Sequence, residues 1–237
     1  MWYRALALLA LCLWPASSFA ALAIDAVSSA SCSGCTSLTW AHTTSGTNRG
    51  LYAGASYFDS ADTISGVTYN AIGMASIPGS LADTGNYSAE GFSLIAPDSG
   101  SNNVVITATA TMTELSGGAV SFTDANQSAM VGTAATGSGT STTPTVNVSS
   151  AAGEIVVDTL TIVHDGTLTV DASQTQRWNA IAGGFTKYAG STETGAPTTT
   201  MSWGNSTSQA WAISAVPIKE APASSSVRGL MLLGVGQ

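Results

Sequence analysis

Thr, Val, Ala and Ser alternate in short strings along almost all of this chain, and Gly, Asn, Asp or Pro separates each string from the next. Val104-Val105-Ile106-Thr107-Ala108-Thr109-Ala110-Thr111-Met112 is the clearest example. A two-residue period sends successive side chains to opposite faces of a sheet, and side chains branched at Cβ favour that conformation. Beyond residue 20 no stretch keeps a sustained 3.6-residue apolar period, which limits helix to a turn or two. Many short strands between turn residues imply an all-β fold. The expected form is an antiparallel two-sheet, jelly-roll-like sandwich in a single domain, with a closed barrel as the alternative.

The two ends of the chain read differently. Arg4, the apolar run from Ala5 to Trp14, Pro15, and the small residues Ser18 and Ala20 have the layout of a secretory signal. The run is shorter than the roughly 20 residues that span a bilayer, so no membrane span is expected. At the other end, Ala221-Pro222-Ala223-Ser224-Ser225-Ser226 resembles a flexible exit, and Val227 to Gln237 turns apolar again. The expected organisation is a signal peptide over 1–20, a β-sandwich domain over 21–219, and a linker with a short apolar tail over 220–237. The protein should then be secreted and act outside the cell, on a cell surface or on a virion surface.

Composition excludes some partners. Only 8% of residues are charged, 14 acidic against 6 basic, for a formal net charge of −8. Such a chain offers no basic footprint to a phosphate backbone, so nucleic acid is not an expected partner. With 44% hydrophobic residues it can fill a core. Cys32 and Cys35 form a Cys-x-x-Cys pair with no second pair and no βαβ surroundings, which argues against zinc and thioredoxin-like chemistry. In an exported chain the simpler reading is a Cys32–Cys35 disulfide closing a turn, or two solvent-facing thiols.

The strand candidates include Leu22 to Ser28, Ser37 to His42, Asn103 to Thr113 and Gly118 to Thr123. The stretch from Gly132 to Thr143 is low in complexity and reads as a long loop. Glu154 to Val163 is almost continuously apolar at its start, as a central strand covered on both faces would be. Gln176 to Asn179, Thr198 to Trp203 and Ala210 to Ile218 complete the set, with a loop from Gly183 to Thr194.

Several motifs in order, Leu38-Thr39-Trp40-Ala41-His42-Thr43, Val67-Thr68-Tyr69-Asn70, Gly118-Ala119-Val120-Ser121-Phe122, Gln174-Thr175-Gln176-Arg177-Trp178-Asn179 and Met201-Ser202-Trp203, carry a family resemblance. From Leu38 to Lys219 the chain resembles exported or phage-encoded β-sandwich domains of environmental bacteria and their viruses. The resemblance implies a concanavalin- or jelly-roll-like sandwich in a secreted or virion surface protein, and carries no catalytic residues. The segment Tyr87-Ser88-Ala89-Glu90-Gly91-Phe92 departs from the pattern, which has an apolar, Trp-containing strand there.

Catalytic chemistry finds little to work with. Acyl transfer would have to use His42 or His164, and the chain has no Gly-x-Ser-x-Gly elbow. Glycoside hydrolysis needs two carboxyl groups across a cleft. Glu154 and Asp158 share one strand face about 13 Å apart by strand rise, and Glu90, Glu114 and Asp171 could approach from other strands. Solvated strand ends are the simpler reading of these acids. Asp158, Asp165 and Asp171 bracket one hairpin region and are candidate ligands for a structural calcium ion, the one cofactor considered, although Asp is also a common turn residue.

Aromatic side chains with amide and cationic neighbours suit saccharide binding. On that ground Arg177, Trp178, Asn179 and Tyr188 are candidate ligand-binding residues, with core packing of Trp178 as the alternative. Trp40 and Trp211 alternate with small apolar residues and read as core. The expected function is a non-enzymatic surface module that binds a glycan or cell-surface polymer, or that builds a virion or extracellular surface. A carbohydrate-active enzyme and a self-assembling structural protein are the alternatives. Homo-oligomers would form through edge strands or the C-terminal tail.

Overall fold

The computed structural model describes residues 21–59 and 63–222. The expected signal segment and most of the expected tail lie outside them. The described chain is all-β and its sheets are antiparallel. Two strands are far longer than the local pattern indicates. β1 (Ala23–Thr44) joins the two separate strands expected at 22–28 and 37–42, and β7 (Gly100–Thr123) joins those expected at 103–113 and 118–123. They pair with each other along nearly their whole length. Between Cys35 and Ser37 the register jumps from Met112 to Thr107, so the paired ribbon bends there. Gly34 sits at this bend with φ 62°, and a disulfide joins Cys32 to Cys35. The bridge thus closes a kink inside one strand, not a turn between two.

The other edge of β7 is shared. Its first half pairs with β3 (Ile64–Tyr69) and its second half with β2 (Gly50–Phe58). β2 continues to β6 (Tyr87–Ile95), β6 to β4 (Ile72–Ser76), and β4 back to β3. The sheet therefore closes into a five-stranded barrel, β7-β2-β6-β4-β3, with β1 and the short β5 (Ala82–Asp83) outside the ring. A two-sheet sandwich was the first expectation and a barrel the alternative. Closure arises because a 24-residue strand is long enough to give one neighbour to each half. Leu51, Tyr69, Val104, Ile106, Met112 and Leu115 are fully buried in the barrel core.

A second sheet has the order β12-β13-β10-β15-β8, and a third has β11-β14-β9. The ranges are β8 (Ala135–Ser141), β9 (Thr145–Val148), β10 (Ile155–Val163), β11 (Leu168–Val170), β12 (Thr175–Ile181), β13 (Thr186–Thr194), β14 (Thr199–Asn205) and β15 (Gln209–Ile218). The five-stranded sheet lies in the middle. One face packs on the barrel through Tyr52, Val120, Phe122, Val157, Trp178, Tyr188 and Val216. The other packs on the three-stranded sheet through Leu160, Ile162, Met201, Trp203, Trp211 and Ile213. Covered on both sides, β10 is buried from Val156 to Ile162, as its apolar composition indicates.

The segment expected to be a long loop is in part strand β8. Gly137 and Gly139, two residues apart, lie against the Trp211 ring and leave room for it, and the Trp211 indole N–H donates to Ser141 Oγ at 2.9 Å. Low complexity here records a groove for one large ring. Trp40 and Trp211 are buried, as their small neighbours indicate.

Candidate functional site

The exposed chemistry gathers where β2 runs out of the barrel. In register, Phe58 faces Tyr87 of β6 on one side and Glu114 of β7 on the other. Directly opposed residues share a face, and Tyr52, farther along that face of β2, packs on the central sheet. Phe58 and Tyr87 stay partly open to solvent. Their rings stack at 5.1 Å between centroids and 11° from parallel. The β12–β13 hairpin, turning at 182–185, adds a third ring. Phe185 is 61% exposed and its ring lies 5.7 Å from Phe58.

Glu114 fixes that hairpin to the barrel. Its carboxyl group accepts hydrogen bonds from the Phe185 and Thr186 backbone N–H groups, both at 2.8 Å, and from Thr186 Oγ1 at 2.6 Å. Gly183, at φ 89°, lies so close to Ser33 and Glu114 that a side chain there would collide with both. From the turn on the other side, the His164 ring Nδ1 donates to the Gly184 carbonyl at 3.2 Å. Beside Tyr87 a surface groove of about 350 Å³ is lined by Thr84, Asn86, Ser138 and Thr140. Three rings thus form a ledge next to a floor of hydroxyl and amide groups. That combination sets an apolar surface beside hydrogen-bonding groups.

The structure disperses the residues expected from sequence to form a site. Trp178 is 5% exposed and fills a slot between Gly118 and Gly190, where a Cβ on either glycine would overlap its indole. Tyr188 is 4% exposed in the same interlayer core. Neither ring is a binding platform: both point at the barrel because that face of β12 and β13 is the one covered. The expected loop from Gly183 to Thr194 is also corrected, since all but its first three residues form β13. Asn179 is partly buried, and its side-chain amide donates to the Leu168 carbonyl and to Gln176 Oε1. Arg177 lines a cleft.

The three Asp residues do not converge. Asp158 is wholly buried, with Oδ1 accepting from Ser191 N at 2.5 Å and Oδ2 from the Trp203 indole N–H at 2.8 Å. Asp165 accepts from Gly166 N and Gln209 Nε2, and Asp171 from both the N–H and the hydroxyl of Ser173. Among the described residues no three His, Cys, Asp or Glu side chains gather as a metal would require. Asp158 in particular has both oxygens engaged by donors inside the protein.

The acids expected to be solvated strand ends include two fully buried ones, Asp158 and Glu114. Each is an acceptor for donors of a neighbouring strand or hairpin, which is why an alternating sequence tolerates them inside. Burial pushes the Asp158 carboxyl up to about 7, against the opposing hydrogen bonds from Trp203 and Ser191. His42 is buried at the rim of the barrel, and burial lowers its ring to about 4. Its Nδ1 lies 2.7 Å from Ser28 Oγ, which also accepts from the Trp40 indole N–H. A Ser-His pair invites comparison with a catalytic triad, but Asp25 binds Ser45 and Ser121 and makes no hydrogen bond to the ring. Among the described residues the imidazole therefore lacks a hydrogen-bonded acid to orient it.

The fold and this surface define a class: an all-β protein in which a closed barrel, a two-sided central sheet and a small third sheet carry an exposed aromatic ledge. No protein-family model matches the chain, and neither a curated protein nor a solved structure is detectably similar to it.

The ledge is not legible in the sequence because its three rings are 29 and 98 residues apart along the chain (Phe58 to Tyr87 to Phe185). One signal was available. Gly183-Gly184-Phe185 places a large apolar ring directly after two glycines in a turn, where packing partners are scarce.

Proposed function

We propose that this protein is an exported, non-enzymatic surface module that binds saccharide on the ledge of Phe58, Tyr87 and Phe185 and in the adjoining groove. The observation that carries the reading is the exposure of Phe185 on a hairpin that a buried carboxyl group holds in place. A ring fixed in its binding geometry loses little conformational freedom when a ligand arrives. The Thr84, Asn86, Ser138 and Thr140 side chains supply donors and acceptors for sugar hydroxyls beside it. With only 8% of residues charged, stacking and hydrogen bonding supply most of the contact on the ledge.

A panel of immobilised polysaccharides tests this with the wild-type protein and Phe185→Ala. The variant should weaken binding about three- to tenfold, the scale of one aromatic stacking contact, while its melting temperature stays within about 2 °C. Equal binding by both proteins, or no binding by either, refutes the reading.

A self-assembling surface protein is the second reading, and one observation favours it. β1 runs for 22 residues, pairs among the described residues only with β7, and has no charged residue from Ala26 to Ala41. A long uncharged edge is a template for another strand. Light scattering at rising protein concentration separates the readings: a monomer throughout removes the second.

A further inference from the structure

We propose that the cleft beside Arg177 is an oxyanion subsite that takes the carboxylate of an acidic sugar unit. The inference rests on the saccharide reading above and adds a ligand class to it. The cleft, about 140 Å³, opens where β12 begins beside the end of β13. A β-bulge between Gln176 and Trp178 breaks the strict alternation there, which lets Trp178 enter the core while its neighbour Arg177 turns to the cleft.

Arg177 differs from the other described arginine in what it binds. Arg49 donates through Nε and Nη1 to the Pro97 and Gly46 carbonyls. Arg177 donates through Nε to Thr192 Oγ1 at 2.8 Å and, among the described residues, makes no other hydrogen bond and no ion pair. Both of its Nη groups are therefore uncommitted among the described residues. The side chain is half-buried, and that burial lowers the guanidinium below its ordinary range. A partly desolvated cation without a counter-charge favours an anion, and the planar fork fits a carboxylate with two parallel hydrogen bonds.

The rest of the lining suits a sugar carrying that carboxylate. Thr175 and Thr194 add hydroxyls, and Ile155 adds an apolar wall. Glu193 also contributes to the lining, but alternation along β13 turns its carboxyl away from the face of Thr192 and Thr194. It lies instead toward Asp158, whose acidity it weakens. The cleft sits at the start of β12 and the ledge just past its end, about 20 Å away by strand rise. A linear polymer of a few sugar units is long enough to cover that distance.

The test compares polygalacturonate with its carboxyl-reduced, neutral form on wild-type protein, Arg177→Gln, Arg177→Lys and Phe185→Ala. Wild type should bind the acidic polymer about tenfold tighter. Arg177→Gln should lose that preference with its affinity for the neutral polymer unchanged. Arg177→Lys, which keeps charge but not the fork, should fall between. Phe185→Ala should weaken both polymers alike. A wild type without preference, or Arg177→Gln that keeps it, overturns the inference and leaves the ledge reading standing. If neither polymer binds, the ledge reading fails, and titration of the Arg177 Nε–H resonance decides the cleft separately. A saturable shift with monomeric galacturonate but not galactose supports the subsite. The same response to both sugars, or none, overturns it.

Discussion

Replacing Asp158 with Asn should change stability by an amount that depends on pH, and the direction follows from where the carboxyl sits. Asp158 titrates near 7 in the fold against an ordinary value of 3.8. Below about pH 4 both folded and unfolded chains hold the proton. Between 4 and 7 only the folded chain holds it, so stability falls as pH rises, and the loss is complete above 7. Moving from 3.8 to about 7 corresponds to about 4 kcal/mol. His42 works against this in the same window. Its ring titrates near 4 in the fold and 6.5 when free, so its contribution is complete above 6.5 and disappears as pH falls to 4. That opposite contribution is about 3 kcal/mol. The wild-type profile alone should therefore be shallow, and the informative quantity is the difference between wild type and Asp158→Asn. At pH 4 the variant should be less stable by about 1–3 kcal/mol, because an amide cannot accept from both Ser191 N–H and the Trp203 indole. At pH 8 it is free of the ionisation cost and should equal or exceed wild type. Urea unfolding at pH 4, 5.5, 7 and 8 with matched m-values measures this. A variant cost equal at pH 4 and pH 8 to within about 1 kcal/mol would refute the reasoning.

Other expectations concern packing and cross-links. Gly190→Ala places a methyl inside the Trp178 slot and should cost about 1–3 kcal/mol in denaturant unfolding, whereas Gly73→Ala, with nothing within 4 Å of the new Cβ, should cost under about 1 kcal/mol. The Cys32→Ser, Cys35→Ser double variant opens a ring of only four residues (separation 3); loop-closure entropy allows at most about 2 kcal/mol, and a loss above about 4 by chemical denaturation would contradict that account. Glu114→Ala leaves Phe185 N, Thr186 N and Thr186 Oγ1 without their acceptor; hydrogen exchange at residues 183–186 should accelerate well beyond any change in the barrel core, and uniform acceleration would show that the carboxyl supports the whole fold instead of the hairpin.

Much of the architecture was legible because strand periodicity is a local property. The run at Val104 to Met112, the doubly covered strand around Val156 to Ile162, and the core positions of Trp40 and Trp211 can each be read from a few neighbouring residues. Strand continuity was less legible. Gly34 and the Cys pair resemble a stop, yet β1 passes through them with a kink because β7 supplies hydrogen-bonding partners on both sides of it. The site was least legible. Trp178 has the composition of a binding residue and the position of a core residue, and only Gly118 and Gly190, from two other strands, reveal which applies.

Sequence alone determined that this chain makes strands and which side chains alternate along them, since backbone preference and a two-residue period require only adjacent residues. Tertiary structure decided that the first sheet closes, that the acids Asp158 and Glu114 go inside, and that Phe58, Tyr87 and Phe185 meet at the surface. Each of those outcomes depends on pairing between strands distant in the chain, where register and burial, and no local preference, determine what a side chain faces.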